Sequence, residues 1–375
     1  MASPPERAEF DVVLLGATGF TGEFTARALQ EMAAPDGAWP GVRWAVAGRS
    51  QAKLQAMISK WGLHPTGVVI ADVGDEWSMR AMCFRSRLVL NATGPYRFYG
   101  EAVVKACIEQ KRDYADLCGE PEFIDRCALK YGAAAAAAGV LIVHSCAFDS
   151  VPADIGTLFT AMQFRPPAVC AHAQMYHSFH VDQSVPGAAG GASAHATTFY
   201  AAVHGFGAVG ETRSQRRALE AQLEEQNPGS SRPPPALGPK LRVPTGPSWN
   251  KQLRKYTFRF PGADTAVVRT SQRVLARRPR PPGEPYLTPQ FGASFCVQSP
   301  IWAAVVAAAG AVFNTLASSR LGRAVLLRHP RLFTLGASSE AGPTQQRLAA
   351  SSFTTTFVGY GWAAADAPAG GGTPA

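Results

Sequence analysis

Residues 12–22 read Val-Val-Leu-Leu-Gly-Ala-Thr-Gly-Phe-Thr-Gly. The four apolar residues predict a short buried strand, and the glycines that follow predict a tight turn. A helix is predicted next, because Phe20, Phe24 and Ala28 repeat at a spacing of four. A strand, a glycine turn and a helix in this order form a phosphate-binding corner, since the N-terminus of a helix presents unpaired N–H groups.

Each glycine of this corner has a predicted role. Gly16 permits the tight turn, Gly19 lets the backbone approach a pyrophosphate, and Gly22 lets the helix pack on the strand. The spacing is G-x-x-G-x-x-G, a variant common in NADP-dependent Rossmann enzymes, and it departs from the G-x-G-x-x-G fingerprint. The alternative interpretation is a purely structural turn.

The end of the second predicted strand selects the nucleotide. The strand Trp44–Ala47 is followed by Gly48, Arg49 and Ser50, and no acidic residue lies between positions 45 and 53. An NAD site usually places an acid here, whereas an NADP site places arginine and small hydroxyl residues around the 2′-phosphate. We therefore predict NADP(H) as the cofactor. The alternative for Arg49 is a solvated surface residue.

Alternating strands and helices continue to about residue 155. Predicted strands cover 68–70, 88–90, 114–116 and 140–143, and helices cover 54–61, 75–86 and 122–138. Six such units in order predict a doubly wound parallel sheet, an α/β Rossmann-type domain over residues 1–155.

Further cofactor contacts are predicted at the carboxyl ends of the strands. Asp72 follows the third strand, where it either accepts from the adenine amino group or caps the next turn. Residues 91–96 follow the fourth strand and are placed beside the nicotinamide ribose. The predicted cofactor-binding residues are Gly16, Ala17, Thr18, Gly19, Phe20, Thr21, Gly22, Arg49, Ser50, Asp72, Asn91, Gly94, Pro95 and Tyr96.

Several motifs together resemble the saccharopine dehydrogenase-like oxidoreductase family in its animal form. They are Gly-Ala-Thr-Gly-Phe-Thr-Gly (16–22), Ala-Gly-Arg-Ser (47–50), Asn-Ala-Thr-Gly-Pro-Tyr-Arg-Phe-Tyr-Gly-Glu (91–101), Gly-Glu-Pro-Glu-Phe (119–123) and Phe-Asp-Ser-Val-Pro-Ala-Asp (148–154). The resemblance implies an NADP-binding Rossmann domain and a second α/β domain. It further implies lipid-droplet association, as in animal members, and relatedness to bacterial enoyl reductases of lipid synthesis. The chain departs from the family at Ala147, where glycine is usual. Its sequence also ends before the point at which family members usually end.

Composition limits the partners and the cellular compartment that the protein can have. The 375 residues carry a net charge of +9, while residues 211–280 alone carry 15 Lys/Arg and 5 Asp/Glu. Because this basic segment lacks a nucleic-acid reader motif, we expect anionic lipid or a phosphorylated substrate as its partner and no nucleic acid. The seven cysteines form no C-x-x-C pair, which indicates buried thiols in a reducing compartment. The N-terminus shows no signal peptide.

A second α+β domain, for substrate binding or dimerisation, is predicted over residues 156–284. It contains strands at 168–176 and 263–270 and a Pro-rich loop at 226–250, and the family resemblance implies a helix at 195–203. His172, His177 and His180 match no zinc spacing, so no metal site is predicted. A homodimer is among the partners considered.

Residues 285–319 carry no charge, and basic residues flank them. We predict a hydrophobic membrane-associating segment over 285–330, most simply an interfacial helix, because a span would place one basic flank on the wrong side. A transmembrane span and a buried core helix are the alternatives. Residues 331–375 are predicted to return to the second domain through a strand at 351–357 and to end in a disordered tail.

These features predict an NADP(H)-dependent oxidoreductase acting on a lipid-like small molecule at a membrane or lipid-droplet surface. The expected location is the cytoplasmic face of membranes, with the mitochondrion and plasma membrane as further candidates, and the chemistry suits (glyco)lipid metabolism. A non-enzymatic NADP-binding scaffold or redox sensor is the alternative. Reduction also needs a proton donor, for which the candidates are Tyr96, Tyr99 and Asp149. Equally, the tyrosines can pack under the turn and Asp149 can cap a helix.

Overall fold

The computed structural model describes residues 8–188, 190–226, 236–278, 281 and 283–363. The chain divides into two compact units, Met1–Ala147 and Phe148–Ala375. This boundary lies before residue 155, the predicted end of the first domain. The reason is local packing, because the ring of Phe148 contacts Phe353 and His177 of the second unit at centroid distances of 4.4 and 5.6 Å.

The first unit alternates strands and helices throughout. Its elements are β1 (Phe10–Leu15), α1 (Phe20–Ala33), β2 (Trp44–Gly48), α2 (Gln51–Trp61), β3 (Gly67–Ile70), α3 (Glu76–Phe84), β4 (Ser86–Asn91), α4 (Tyr96–Glu109), β5 (Asp113–Asp116), α5 (Pro121–Ala138) and β6 (Ile142–Val143). The alanine run at 133–138 is helical, as predicted from its propensity. The last strand is shorter than predicted and covers only two residues.

The six strands of this unit form one parallel sheet in the order β3-β2-β1-β4-β5-β6. Successive side chains of β1 point to opposite faces, so Val13 and Leu15 lie in one apolar core and Val12 and Leu14 in the other. The doubly wound parallel sheet is thereby confirmed. Its order reverses between β1 and β4, which is where such folds bind nucleotides.

The second unit mixes long strands with helices. Its elements are α6 (Ser150–Met162), β7 (Val169–Val181), β8 (Ala194–His195), α7 (Ala196–Gly207), α8 (Val209–Gln226), β9 (Ser248–Asn250), β10 (Lys255–Arg259), α9 (Asp264–Arg277), β11 (Gln290–Val297), α10 (Pro300–Ala317), α11 (Arg320–Arg328), α12 (Pro330–Phe333), β12 (Ser338–Ser339), α13 (Gln345–Ala349) and β13 (Ser351–Trp362). Part of the predicted loop (227–235) and of the predicted tail (364–375) lies outside the described residues.

A five-stranded mixed sheet organises this unit in the order β13-β7-β11-β10-β9. Helices α6 and α9 cover it through a small core that includes Ala153, Met175, Val268 and Ala293. Strand β11 pairs with both β7 and β10. Because β11 lies within the predicted membrane-associating segment, the first part of residues 285–330 belongs to the sheet, and the segment is not separate from the second domain.

The predicted strand at residues 263–270 is wrong, because helix α9 occupies this segment. The buried residues of α9 are Asp264, Val268 and Gln272, a spacing of four that fits one face of a helix. The apparent alternation covered too few residues to separate the two periods, and the burial pattern of the folded unit follows the helical one.

Helix α10 occupies the apolar segment and is exposed over most of its surface. Only Ala303 and Ala317 are buried among its eighteen residues, so it is not a core helix of the described chain. Its last turn packs with α7 and α11 around Phe199, Val203 and Leu326. By length and composition it is the one helix among the described residues that can cross a membrane.

Candidate functional site

The glycine corner between β1 and α1 is tightly packed. Gly16 has a φ of +82°, and a Cβ there would lie 2.7 Å from Thr93 Oγ1. A Cβ on Gly22 would lie 2.2 Å from the carbonyl oxygen of Gly16. Helix α1 therefore sits directly on the turn, as predicted, and no side chain fits between them.

The N-terminus of α1 is open to an anion. Gly19 precedes the helix, and no side chain caps it. The first-turn acid Glu23 is held by Lys60 at 2.7 Å and by the indole N–H of Trp61 at 2.8 Å. Its charge is thereby partly neutralised. Ala17 is buried beneath the turn, whereas Gly19 and Thr21 are exposed and Thr18 and Phe20 partly exposed.

The N-terminus of helix α4, in the same unit, differs from that of α1. Its first backbone N–H groups, those of Tyr96 and Arg97, donate to the carboxylate of Glu120 at 2.7 and 3.3 Å. Glu120 is itself buried, and burial raises its pKa. The anion position at α4 is thus filled from within the protein, while the one at α1 is left for a ligand.

Two cations stand beside the end of β2. Arg49 and Lys53 are both exposed, and within the described chain neither forms an ion pair. Ser50 caps α2, because its Oγ accepts from the backbone N–H of Lys53 at 3.3 Å. An exposed guanidinium on a capped, fixed turn suits a 2′-phosphate, which arginine binds through two parallel hydrogen bonds.

Substituting Arg49 by alanine is expected to weaken NADPH binding by about 10–100-fold, since charge-assisted hydrogen bonds contribute about 1.5–3 kcal/mol. NADH has no 2′-phosphate, so its affinity should change less than about 3-fold. Calorimetric titration with both nucleotides measures the difference. The control is Arg87→Ala, which removes an exposed charge at the start of β4. Equal losses for the two nucleotides would contradict the assignment of Arg49.

Asp72 and Asn91 are both engaged in shaping turns. Asp72 Oδ1 accepts from the backbone N–H of Gly74 at 2.9 Å, which is the turn-capping alternative of the two considered. Asn91 is buried, accepts from the N–H of Thr93 at 3.0 Å, and donates to the Tyr114 hydroxyl at 3.2 Å. Gly94 and Pro95 follow, and Pro95 precedes α4 at its cap position. Asn91 therefore orients side chains of the neighbouring strand.

The two tyrosine candidates for a proton donor have different environments. The hydroxyl of Tyr96 is buried, donates to the carbonyl of Asn91 at 2.8 Å, and accepts from Leu117 N–H at 3.3 Å. Burial raises the pKa of Tyr96 well above its usual range. This environment favours the packing alternative for Tyr96, and its role as a donor stays a prediction. Tyr99 lies exposed on the first turn of α4 beside the ring of Phe98.

A buried aspartate–histidine pair was missed in the sequence. The carboxylate of Asp116 contacts His144 Nδ1 at 2.7 Å and accepts from the Tyr114 hydroxyl at 2.8 Å. Its other oxygen accepts from the N–H groups of Cys118 and Ser145, each at 2.9 Å. Burial and this carboxylate raise the pKa of Tyr114, so that its hydroxyl stays a donor.

The register of the sheet places this pair. Ala115 pairs with Val143 across β5 and β6, so that the next residues, Asp116 and His144, leave adjacent strands side by side. This is the carboxyl edge of the sheet, where ligands bind in open α/β folds. The side chain of His144 retains 10% exposure, while that of Asp116 is fully buried. The sequence signal was the position of each residue directly after a strand.

The third candidate, Asp149, belongs to the second unit. Asp149 directly precedes α6 and has a φ of +87°. Its side chain caps no helix N–H, which corrects the capping alternative. Instead it lies beside His177 and Asp264, and burial and the Asp264 carboxylate raise its pKa.

Of the three histidines on β7, His172 binds the carbonyl of Pro239 at 2.8 Å and His180 is exposed.

Comparison with known proteins agrees with the geometry of the first unit. Residues 12–143 match the family model of the saccharopine dehydrogenase NADP binding domain. A human saccharopine dehydrogenase-like oxidoreductase is 35% identical over 367 residues, covering 95% of this chain and 80% of the relative. A Caenorhabditis elegans lipid droplet localized protein is 29% identical over 95% of this chain and 79% of its own. A trans-acting enoyl reductase of Mycobacterium leprae is 39% identical over 40% of this chain and 35% of its own.

Proposed function

The chain belongs to the saccharopine dehydrogenase-like oxidoreductase family, and we propose that it reduces a lipid-type substrate with NADPH at the surface of a lipid droplet. The family and the NADP-binding domain establish an NAD(P)-dependent oxidoreductase. The lipid substrate and the lipid surface are the proposal. The main support for this proposal is the apolar and acid-free surface of helices α10–α12.

The first unit is suited to hold the cofactor. The open N-terminus of α1 and the glycine corner fit a pyrophosphate, because a Cβ at Gly16 or Gly22 would fill the space the turn needs. Arg49 suits the 2′-phosphate. When bound, NADPH supplies a hydride to an electrophilic carbon of the substrate. The protein must then supply a proton to the neighbouring atom, so that one hydride and one proton reduce one double bond.

His144 is the best-placed proton donor of this unit. Its Nδ1 is fixed by Asp116 at 2.7 Å, and its ring is held between Tyr114 and Phe123 at centroid distances of 5.7 and 5.2 Å. The buried carboxylate stabilises the charge that the imidazole carries when both nitrogens are protonated, and it fixes the ring orientation. Nε2 is then the atom that gives a proton to the substrate.

The proposed lipid-binding face is formed by side chains of α10–α12 and the turn after them. It consists of Ile301, Trp302, Val312, Leu321, Leu332 and Leu335, which are between 50 and 78% exposed. Removing one such side chain from water contributes about 1.5–3 kcal/mol. Large exposed apolar patches are uncommon on soluble monomers, and exposed apolar side chains on consecutive helices are typical of interfacial helices.

The charges around this face favour an anionic monolayer. No Asp or Glu occurs between Glu284 and Glu340, whereas Arg320, Arg323, Arg328 and Arg331 all lie on or beside α11 and α12. Each basic residue near an anionic lipid surface contributes about 1 kcal/mol. The name of the Caenorhabditis elegans relative supports a lipid droplet over the other membranes considered, and the mycobacterial relative supports an enoyl lipid as substrate.

Replacing Trp302 and Leu321 together by glutamate is expected to reduce binding to anionic phospholipid vesicles more than 10-fold, because two anchors are lost and two anions gained. Both side chains are exposed, so folding should be preserved. Co-flotation measures the bound fraction, and microscopy in cells distinguishes droplets from mitochondria and plasma membrane. The control Trp77→Glu changes an exposed tryptophan of the first unit. Unchanged flotation of the double variant would refute this surface.

The enzymatic proposal is tested by following NADPH oxidation while lipid enones and ketones are presented in such vesicles. Substrate-dependent oxidation that needs the vesicles supports the proposal. Tight NADPH binding with no oxidation above background would favour the NADP-binding scaffold instead. A homodimer remains a prediction, which the mass in solution tests directly.

A further inference from the structure

We propose that Asp149, His177 and Asp264 form a binding site for a divalent transition metal ion such as Zn²⁺. The three come from different elements of the second unit, since Asp149 precedes α6, His177 lies on β7 and Asp264 begins α9. One donor atom of each lies within 4.8 Å of the others. This proposal is independent of the proposed reductase activity.

The donor atoms of this Asp–His–Asp cluster lack partners within the described residues. Neither oxygen of Asp264 nor Nε2 of His177 forms a hydrogen bond, and Oδ1 of Asp149 also forms none. Both His177 and Asp264 are at least 99% buried. The distance from His177 Nε2 to Asp264 Oδ2 is 3.9 Å, too long for a hydrogen bond. Unpaired carboxylates are costly to bury, and a cation removes that cost.

No side-chain cation of the described chain serves this purpose. Neither Asp149 nor Asp264 forms an ion pair with a lysine or arginine of the described ranges. The partly buried carboxylate of Asp154, on α6, accepts from Ser271 Oγ at 2.8 Å. Such a hydrogen bond from a hydroxyl is the usual way to satisfy a buried acid, and no hydroxyl of the described residues donates to Asp264.

The orientation of His177 suits a metal ligand. Its Nδ1 lies 2.8 Å from Thr355 Oγ1 on β13. When Nδ1–H donates to that hydroxyl, Nε2 carries a lone pair that faces the two carboxylates. Histidine ligands of metals are oriented in this way by a hydrogen bond from the other ring nitrogen.

The surroundings combine a low dielectric with access from solvent. The rings of Phe148, Phe179 and Phe260 lie 5.2–5.9 Å from the imidazole centroid. They strengthen the attraction between an ion and the carboxylates by excluding water. Asp149 is only partly buried, which leaves a route for the ion.

The donor set selects the class of ion. One imidazole and two carboxylates suit zinc and neighbouring transition metals better than Mg²⁺ or Ca²⁺, which prefer oxygen alone. Ligand atoms of a tetrahedral zinc ion stand about 3.3 Å apart, because each lies about 2.0–2.1 Å from the metal. The three donor atoms lie within 4.8 Å of one another, and His177 Nε2 lies 3.9 Å from Asp264 Oδ2, so small side-chain rotations bring them into range. Three protein ligands leave a coordination position open for water.

The test uses the full chain, freed of metal by a chelator and titrated with Zn²⁺ by calorimetry, with metal content measured by mass spectrometry after dialysis. We expect one zinc per chain and a rise in the thermal unfolding temperature on loading. Asp264→Asn keeps the shape of the side chain but removes a charged ligand, so its zinc affinity should fall more than about 100-fold.

The matched control is Asp154→Asn, because Asp154 is a partly buried carboxylate of the same unit that lies outside the cluster. It should bind one zinc with wild-type affinity. Circular dichroism of each apoprotein confirms folding, and Asp149→Asn serves as a second ligand variant with the same expected loss. The proposal is overturned if wild-type protein retains no zinc, or if both ligand variants bind it as tightly as wild type through other side chains.

Discussion

Substitution of Gly22 by alanine is expected to raise the dissociation constant for NADPH more than about 100-fold and to destabilise the first unit by about 3 kcal/mol or more. The added Cβ would lie 2.2 Å from the Gly16 carbonyl oxygen and 2.9 Å from Ala17 backbone atoms. These are backbone atoms, so no side chain can rotate to make room. The helix must move off the turn, and the N–H groups that face the phosphate move with it.

The matched control for this change is Gly132→Ala. Gly132 lies inside α5, and a Cβ there meets nothing within 4 Å. Alanine should therefore stabilise that helix by up to about 1 kcal/mol and leave NADPH binding unchanged. Urea unfolding and calorimetric titration measure both quantities. If Gly22→Ala bound NADPH like wild type, the corner between β1 and α1 would not be the phosphate site.

Replacement of His144 by glutamine is expected to lower the rate of substrate reduction by about 100–10,000-fold, the usual contribution of a general acid. Glutamine is polar and of similar length, so the hydrogen bond to the buried Asp116 has a replacement donor. NADPH affinity should stay within about 3-fold of wild type, because the proposed phosphate contacts lie on other elements. Single-turnover oxidation of bound NADPH separates the chemical step from binding.

The control for this substitution is His64→Gln, because His64 is an exposed histidine of the same unit. It should leave both the rate and its pH dependence unchanged. A rate of His144→Gln within about 3-fold of wild type would remove His144 as the proton donor. The exposed Tyr99 would then be the next candidate, tested by Tyr99→Phe.

Much of the first unit follows from local sequence. The strand, glycine turn and helix of residues 12–22 use short-range rules, and Gly16 and Gly22 have their predicted places in the turn. Sheet order also follows, because βαβ units have one preferred handedness. The Asp116–His144 pair was not predicted, since it depends on the register of β5 against β6, which single strands do not reveal.

The second unit was harder to predict for a physical reason. Its contacts join residues that are far apart in sequence, such as Asp149, His177 and Asp264 in the metal-binding proposal. Spacing rules search for ligands that are near one another in sequence, and the alternation along β7 places His177 on the face opposite to His172 and His180. The predicted strand at 263–270 falls within the helix Asp264–Arg277, because eight residues do not distinguish the two periods.

The pairing of β7 with β13 has a consequence for biosynthesis. Val181 pairs with Ser351, 170 positions later (351 − 181), whereas β1 pairs with residues as near as Trp44. At about 5–20 residues per second, a ribosome needs roughly 10–30 s to deliver the missing strand. During this time the nascent nucleotide-binding domain can fold, while the edge of β7 that pairs with β13 remains unpaired. Newborn chains of this protein should therefore depend on chaperone holding during that interval.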